Sequence, residues 1–160
     1  MDDITKIKKV SSILTGVSGE YFAAAELSRR GYIASITLRN TKGIDIVASN
    51  EVGSKTINIQ VKTSSKTTKG WILNKKAEKM NDKNMFYIFV RLNEVDERPE
   101  FHIVPTSYVA NKVKKGHQSW LDTPGRGGRK RKNTDQSQST FSQKNLFCVS
   151  IFVNFVVGCK

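Results

Sequence analysis

The stretch 42-KGIDIVASNEVGSKTINIQVKT-63 decides how the rest of the chain is read. Two short apolar–polar alternations flank the turn-like residues 49–54, SNEVGS, the pattern of a β-hairpin. On the first strand Ile44 and Ile46 fall on one face, with Asp45 and Val47 on the other. On the second, Ile57, Ile59 and Val61 share a face, and Asn58, Gln60 and Lys62 share the opposite one. Strands favour β-branched and aromatic residues, so a mid-run Asp calls for a reason. An acid, an amide and an amine are thereby brought toward one side of a small sheet. The hairpin is a candidate site.

Upstream, residues 1–15 form a basic lead-in with Ile4, Ile7 and Val10 at helical spacing. Residues 16–31, GVSGEYFAAAELSRRG, predict a helix capped by Ser18 and stopped by Gly31. Val17, Tyr21, Ala24 and Leu27 are expected on its core face, with Glu20 beside them in the first turn. Taken alone, Glu20 there is simply compatible with the helix dipole. YIASITL after Gly31 reads as a strand ahead of the hairpin.

Downstream come a polar stretch (64–70), Trp71-Ile72-Leu73 and a basic helical segment (74–83). MFYIFVRL (85–92) is the most apolar run of this region and predicts a central strand. FHIVP (101–105) predicts another, followed by a helix capped by Thr106 or Ser107. This order predicts an α/β fold with a mixed sheet flanked by helices.

With 160 residues the chain is long enough for one core, and its net charge of +13 (27 Lys+Arg, 14 Asp+Glu) favours a polyanionic partner. A merely soluble basic protein is the bland alternative. The cations concentrate at Lys112, Lys114, Lys115, Arg126, Arg129, Lys130, Arg131 and Lys132, around glycines and Trp120. Glycines let backbone approach a phosphate and the cations neutralise it, so these eight residues are the candidate nucleic-acid contacts; a solvated basic loop is the competing reading. Trp120 is expected to anchor in the core rather than stack on a base. His102 in a strand is expected to be structural, and His117 in the basic loop, though able to touch phosphate, a bystander or hydrogen-bond partner. Cys148 and Cys159 have no metal-ligand spacing, and the first residues lack the apolar core of a signal peptide, so a cytoplasmic location is expected. No nucleophile elbow and no phosphate-binding GxxxxGK[ST] occurs in the sequence, which disfavours acyl transfer and nucleotide hydrolysis.

Gly19-Glu20, then Gly43-Ile44-Asp45-Ile46-Val47-Ala48, then Ile59-Gln60-Val61-Lys62 resemble, in order, the core motifs of the PD-(D/E)xK nuclease superfamily. That superfamily includes restriction endonucleases, archaeal Holliday-junction resolvases and some homing endonucleases. The resemblance covers residues 16–132 and implies a restriction-endonuclease-like mixed central sheet. It implies Glu20, Asp45, Gln60 and Lys62 as the catalytic set, with Asp45, Gln60, Glu20 and the Val61 carbonyl holding Mg²⁺ (or Mn²⁺). It further implies DNA as the partner, is compatible with a homodimer, and gives no role to a membrane.

Two features depart from that pattern. Gln60 stands where the superfamily usually has an acid, which removes one negative charge and favours a single metal over two. The alternative is a catalytically weakened or inactive DNA-binding module of the same fold, serving a larger nucleic-acid complex, with Asp45 and Lys62 merely ion-paired. The second departure is the end of the chain. Residues 1–132 read as a single nuclease-like domain with a basic C-terminal loop, and 133–160 as a polar, then apolar tail. Its apolar run at 146–159 is shorter than the roughly 20 residues a membrane-spanning helix needs.

Overall fold

The computed structural model of the protein describes residues 10–38, 43–65, 68, 70–133 and 138–142. Its elements are α1 (Ser12–Arg29), β1 (Tyr32–Ile36), β2 (Ile46–Asn50), β3 (Thr56–Ser65), β4 (Gly70–Asn74), β5 (Met85–Leu92), β6 (Glu100–Pro105), α2 (Thr106–Asp122) and β7 (Gln138–Ser142), with short 3₁₀ turns at Lys75–Lys79 and Arg126–Gly128. Five strands form a sheet in the order β1-β2-β3-β5-β6, and β4 and β7 form a separate antiparallel pair. Only the β3–β5 pairing is parallel within the five-stranded sheet. The expected α/β class and mixed, helix-flanked central sheet are therefore both present.

The predicted hairpin is β2–β3. Its turn is organised by Asn50, whose Oδ1 accepts from Lys55 N at 3.0 Å while its Nδ2 donates to Ser54 Oγ at 2.9 Å. Gly53 supplies the positive φ of 71° that the turn requires. β5 is central, as its composition predicts. Phe86, Ile88 and Val90 pack on the α1 side with Ile46, Ala48, Ile57, Ile59 and Val61. Tyr87 and Phe89 pack on the other side with Trp71, Leu73, Val104, Val109, Val113 and Phe141. Alternation thus splits β5 between two cores.

Several sequence expectations are corrected. α1 begins at Ser12 and is capped by Ser11, whose Oγ accepts from Leu14 N; Ser18 lies inside it and donates to Thr15 O. Glu20 is therefore mid-helix, not in a first turn. The buried face of α1 is Gly19, Ala23 and Leu27, whereas Tyr21 is 64% exposed. Small residues win because the helix lies close on β3, and the sheet's own branched side chains supply the bulk. The second helix starts at Thr106 without a side-chain cap; the Thr106 hydroxyl donates instead to Asp82 O at 3.0 Å. The segment 74–83 contains only a 3₁₀ turn.

The closeness of α1 sets a testable limit. A Cβ added at Gly19 would run into the Thr63 side chain. Gly19→Ala improves helix propensity by roughly 1 kcal/mol, but the overpacking it forces is expected to destabilise by about 1–3 kcal/mol. A lower urea midpoint at unchanged m-value checks the outcome.

Of the expected tail, residues 138–142 form β7, which pairs with β4 from Gly70↔Ser142 to Asn74↔Gln138. The apolar run 146–159 and the lead-in 1–9 lie outside the described residues. No helix among the described residues is long and apolar enough to cross a membrane.

Candidate active site

Asp45 sits where β2 begins, and its backbone leaves the regular ladder there. A regular strand residue sends its N–H and C=O to the same neighbour. Asp45 instead donates its N–H to Ile59 O (2.8 Å) on β3 and accepts Thr37 N (2.9 Å) on the β1 side. Ile59 is also the pairing partner of Ile46. Two residues of one strand therefore face one of the other, the geometry of a β-bulge, which re-aims a side chain. Here the carboxylate turns along β3, and Oδ2 accepts from Val61 N at 2.7 Å. Asp45 thus takes the place of the strand partner that Val61 lacks beyond the start of β2. The Val61 carbonyl, on the same strand edge as its N–H, opens to the same gap.

Gln60 and Lys62 flank Val61, point away from α1 and are half-buried. Across the parallel pairing they stand beside Tyr87 and Phe89 respectively. Burial, then the nearby Asp45 carboxylate, pushes the Tyr87 hydroxyl up to about 12. Asp45, Gln60, Val61 and Lys62 are thus gathered at one edge of the hairpin. Asp45 and Lys62 are not ion-paired among the described residues; the Val61 amide takes the carboxylate instead. Glu20 arrives from α1 on the opposite face, next to Gly19, which lies against Thr63 and so level with Lys62. No cluster of three or more His, Cys, Asp or Glu side chains forms among the described residues.

The end of β3 is held by Arg91. Its buried guanidinium donates from Nη1 to Ser65 O (3.3 Å) and Thr68 O (2.7 Å) and stacks on Trp71, 4.9 Å from the ring centroid. Trp71 in turn donates from Nε1 to Val90 O at 2.9 Å. The aromatic layer under Lys62 is thereby anchored to the central strand.

The basic residues divide between two elements. Lys112, Lys114 and Lys115 are exposed on α2, which covers the same face of the sheet as Gln60 and Lys62. The expected helix through Val113 is present and continues to Asp122, where the solvated loop was the competing reading, because Val109, Val113 and His117 recur at helical spacing and are buried. Of the two roles expected for His117 it takes that of hydrogen-bond partner: its Nδ1 lies 2.7 Å from Glu78 Oε1 and ties α2 to the 3₁₀ turn. Arg126, Arg129, Lys130, Arg131 and Lys132 follow in the 124–132 loop. Trp120, expected in the core, is 43% exposed and lies under the Arg131 guanidinium. Tyr87 is the site neighbour that sequence reasoning missed; its place in an apolar strand gave no sign of it.

Tyr87 carries a pH prediction. Its ordinary value is near 10, so the neutral form is favoured by the fold; the stability this supplies is complete below pH 10 and is lost as pH rises toward 12. The loss is on the order of 2–3 kcal/mol. Denaturant titrations at alkaline pH should show this component in the wild type and not in Tyr87→Phe.

No family model and no curated protein matches the chain. Among solved structures it is similar to a bacterial homing endonuclease, at 21% identity and a TM-score of 0.42 over 60% of this chain and 66% of that one. It is also similar to a Holliday junction resolvase of the archaeal hyperthermophile Archaeoglobus fulgidus, at 18% identity and a TM-score of 0.40 over 58% of this chain and 74% of that one. The chain thus spans less than two thirds of the homing endonuclease. Neither likeness assigns an activity.

Proposed function

We infer that the chain is a metal-dependent nuclease that hydrolyses phosphodiester bonds in DNA, acting as an endonuclease. The observation that carries this reading is the bulge at Asp45, which turns a carboxylate to the strand edge flanked by Gln60 and Lys62. The donors this strand edge would offer are the Asp45 carboxylate, the Val61 carbonyl and the Gln60 amide oxygen, all hard ligands. They suit Mg²⁺ or Mn²⁺ that retains several waters. Asp45 Oδ1 takes no hydrogen bond from a described residue, so it is available to a cation while Oδ2 holds Val61.

Asp45 would anchor the metal, with the Val61 carbonyl and the Gln60 amide oxygen beside it; Glu20, on the α1 face, would contribute only by reaching past the open edge of β3. When bound, the metal polarises the phosphoryl oxygen, activates water and steadies the leaving alkoxide. Lys62 orients the attacking water and places positive charge against the charge that develops on the phosphoryl group. The exposed lysines of α2 and the 124–132 cations hold the DNA backbone.

One observation favours a second reading. Gln60 supplies no charge and Asp45 already has a structural task at Val61, as in a DNA-binding module whose site no longer cuts. Incubating supercoiled plasmid and branched DNA with Mg²⁺ or Mn²⁺, against a chelator control, separates the two. Nicking that needs metal, and falls at least a hundredfold in Lys62→Ala, supports the nuclease. Salt-sensitive DNA binding without cleavage supports the binding module.

A further inference from the structure

We propose that the ridge of α2 bearing Tyr108, Lys112, Gly116 and Trp120, closed by Arg131, is a stacking site for unpaired bases. It would direct the protein to DNA containing single-stranded or branched segments rather than to plain duplex. The inference rests on the nucleic-acid reading above and deepens it by naming the substrate class.

These four residues recur every fourth position, so they line one row along α2, each step about 6 Å of helix rise. The row carries an aromatic ring near each end, and each ring has a cation over it. Lys112 Nζ lies 5.5 Å from the Tyr108 centroid, and Arg131 Cζ lies 4.7 Å from that of Trp120. Between them, Gly116 leaves open space, since a Cβ built there meets nothing within 4 Å. A flat ligand can therefore lie along the helix next to Trp120 without displacing a side chain from below.

The loop that delivers Arg131 is built rather than slack. Gly125 N donates to Arg129 O at 2.8 Å and Gly128 N to Gly125 O at 3.0 Å, with positive φ at Gly127 and Gly128. A Cβ at Gly125 would lie 3.2 Å from Arg129 O and 3.7 Å from Arg131 Cγ, so its absence lets the chain fold back over Trp120. The loop presents Arg126, Arg129, Lys130 and Lys132 to solvent and has no acidic residue from 124 to 132.

A duplex needs only the cations, because its bases are already stacked and its phosphates are what it exposes. An exposed indole under a planar guanidinium adds what an unpaired base needs, an aromatic face and a planar cation between which to stack. Arg131 is the movable half: its contact with Trp120 is weak at a solvent-exposed position, so a base can enter between them.

The test measures binding in chelator, where no cleavage occurs, using a short oligothymidylate and a blunt duplex of equal length. Trp120→Ala is expected to weaken the single strand about tenfold and the duplex less than twofold, with Trp120→Phe restoring most of the loss. Arg131→Lys should repeat that selectivity in smaller measure, because it keeps the charge and loses the plane. Tryptophan fluorescence is a second readout, since the other tryptophan, Trp71, is buried: quenching by the single strand is expected to vanish in Trp120→Ala. Equal weakening of both ligands, or none, overturns the stacking site while leaving the nuclease reading intact. Absence of binding to either DNA by the wild type overturns both.

Discussion

Asp45→Asn is expected to reduce DNA cleavage by a thousandfold or more while shifting the unfolding transition very little. The asparagine carbonyl can still accept from Val61 N, so the bulge and the 2.7 Å contact survive. The negative charge at the strand edge does not. Removing one preorganised electrostatic group from a reacting centre is typically worth about 3–4 kcal/mol, which is two to three orders of magnitude in rate, and a cation's anchoring ligand belongs at the upper end. Asp45→Ala should lose the same activity and, in addition, about 1–3 kcal/mol of stability, because it leaves the buried Val61 amide without a partner. The pair of variants therefore separates the two tasks of one side chain. Plasmid nicking and urea midpoints measured on both are sufficient. Full activity in Asp45→Asn would mean that the carboxylate is only an edge cap and that any hydrolytic centre lies elsewhere. The same variant should draw the Tyr87 hydroxyl back toward its ordinary range, because the Asp45 carboxylate contributes to holding it up.

What the sequence disclosed and what it hid follow from the range of the interactions involved. The hairpin was legible because period-two alternation and turn residues are local, and β5 because six consecutive apolar residues, Met85 to Val90, resist any exposed placement. The co-facial order of Gln60 and Lys62 came from that alternation alone. The bulge at Asp45 was not legible, since it depends on where β1 and β3 meet the chain, not on the residues around it. The buried face of α1 misled for a different reason: Gly19 and Ala23 carry no apolar signal, and they are buried for their smallness. The first half of α2, through Val113, was legible from its apolar spacing; its continuation was concealed by its lysines and by Gly116, which costs a helix roughly 1 kcal/mol relative to Ala. Its stripe of Val109, Val113 and His117 includes a titratable residue that becomes buriable only because Glu78 meets it. β7 is the extreme case. QSTFS has one apolar residue, and nothing local marks it as a strand.

That one residue carries the second large effect. Phe141→Ala is expected to destabilise the protein by about 3–5 kcal/mol, a large share of what holds a domain of this size together. Phe141 is 2% exposed and stacks parallel on Phe89 with centroids 4.8 Å apart. Phe89 is flanked in turn by Tyr87 at 5.4 Å and Trp71 at 5.1 Å, so the ring closes an aromatic layer that runs under Lys62. Little can relax into the space it leaves. Gly70, next to Phe141's strand partner Trp71 on β4, already lies against the Phe141 backbone carbonyl so closely that a Cβ there would collide with it. The ribbon is thus fixed by side chain and backbone at the same point. Chemical denaturation of Phe141→Ala and Phe141→Leu tests the account, with the leucine variant expected to recover about half of the loss through retained apolar area. A change below about 1 kcal/mol in Phe141→Ala would mean that β7 is a peripheral addition to the fold and that the layer beneath Lys62 stands without it.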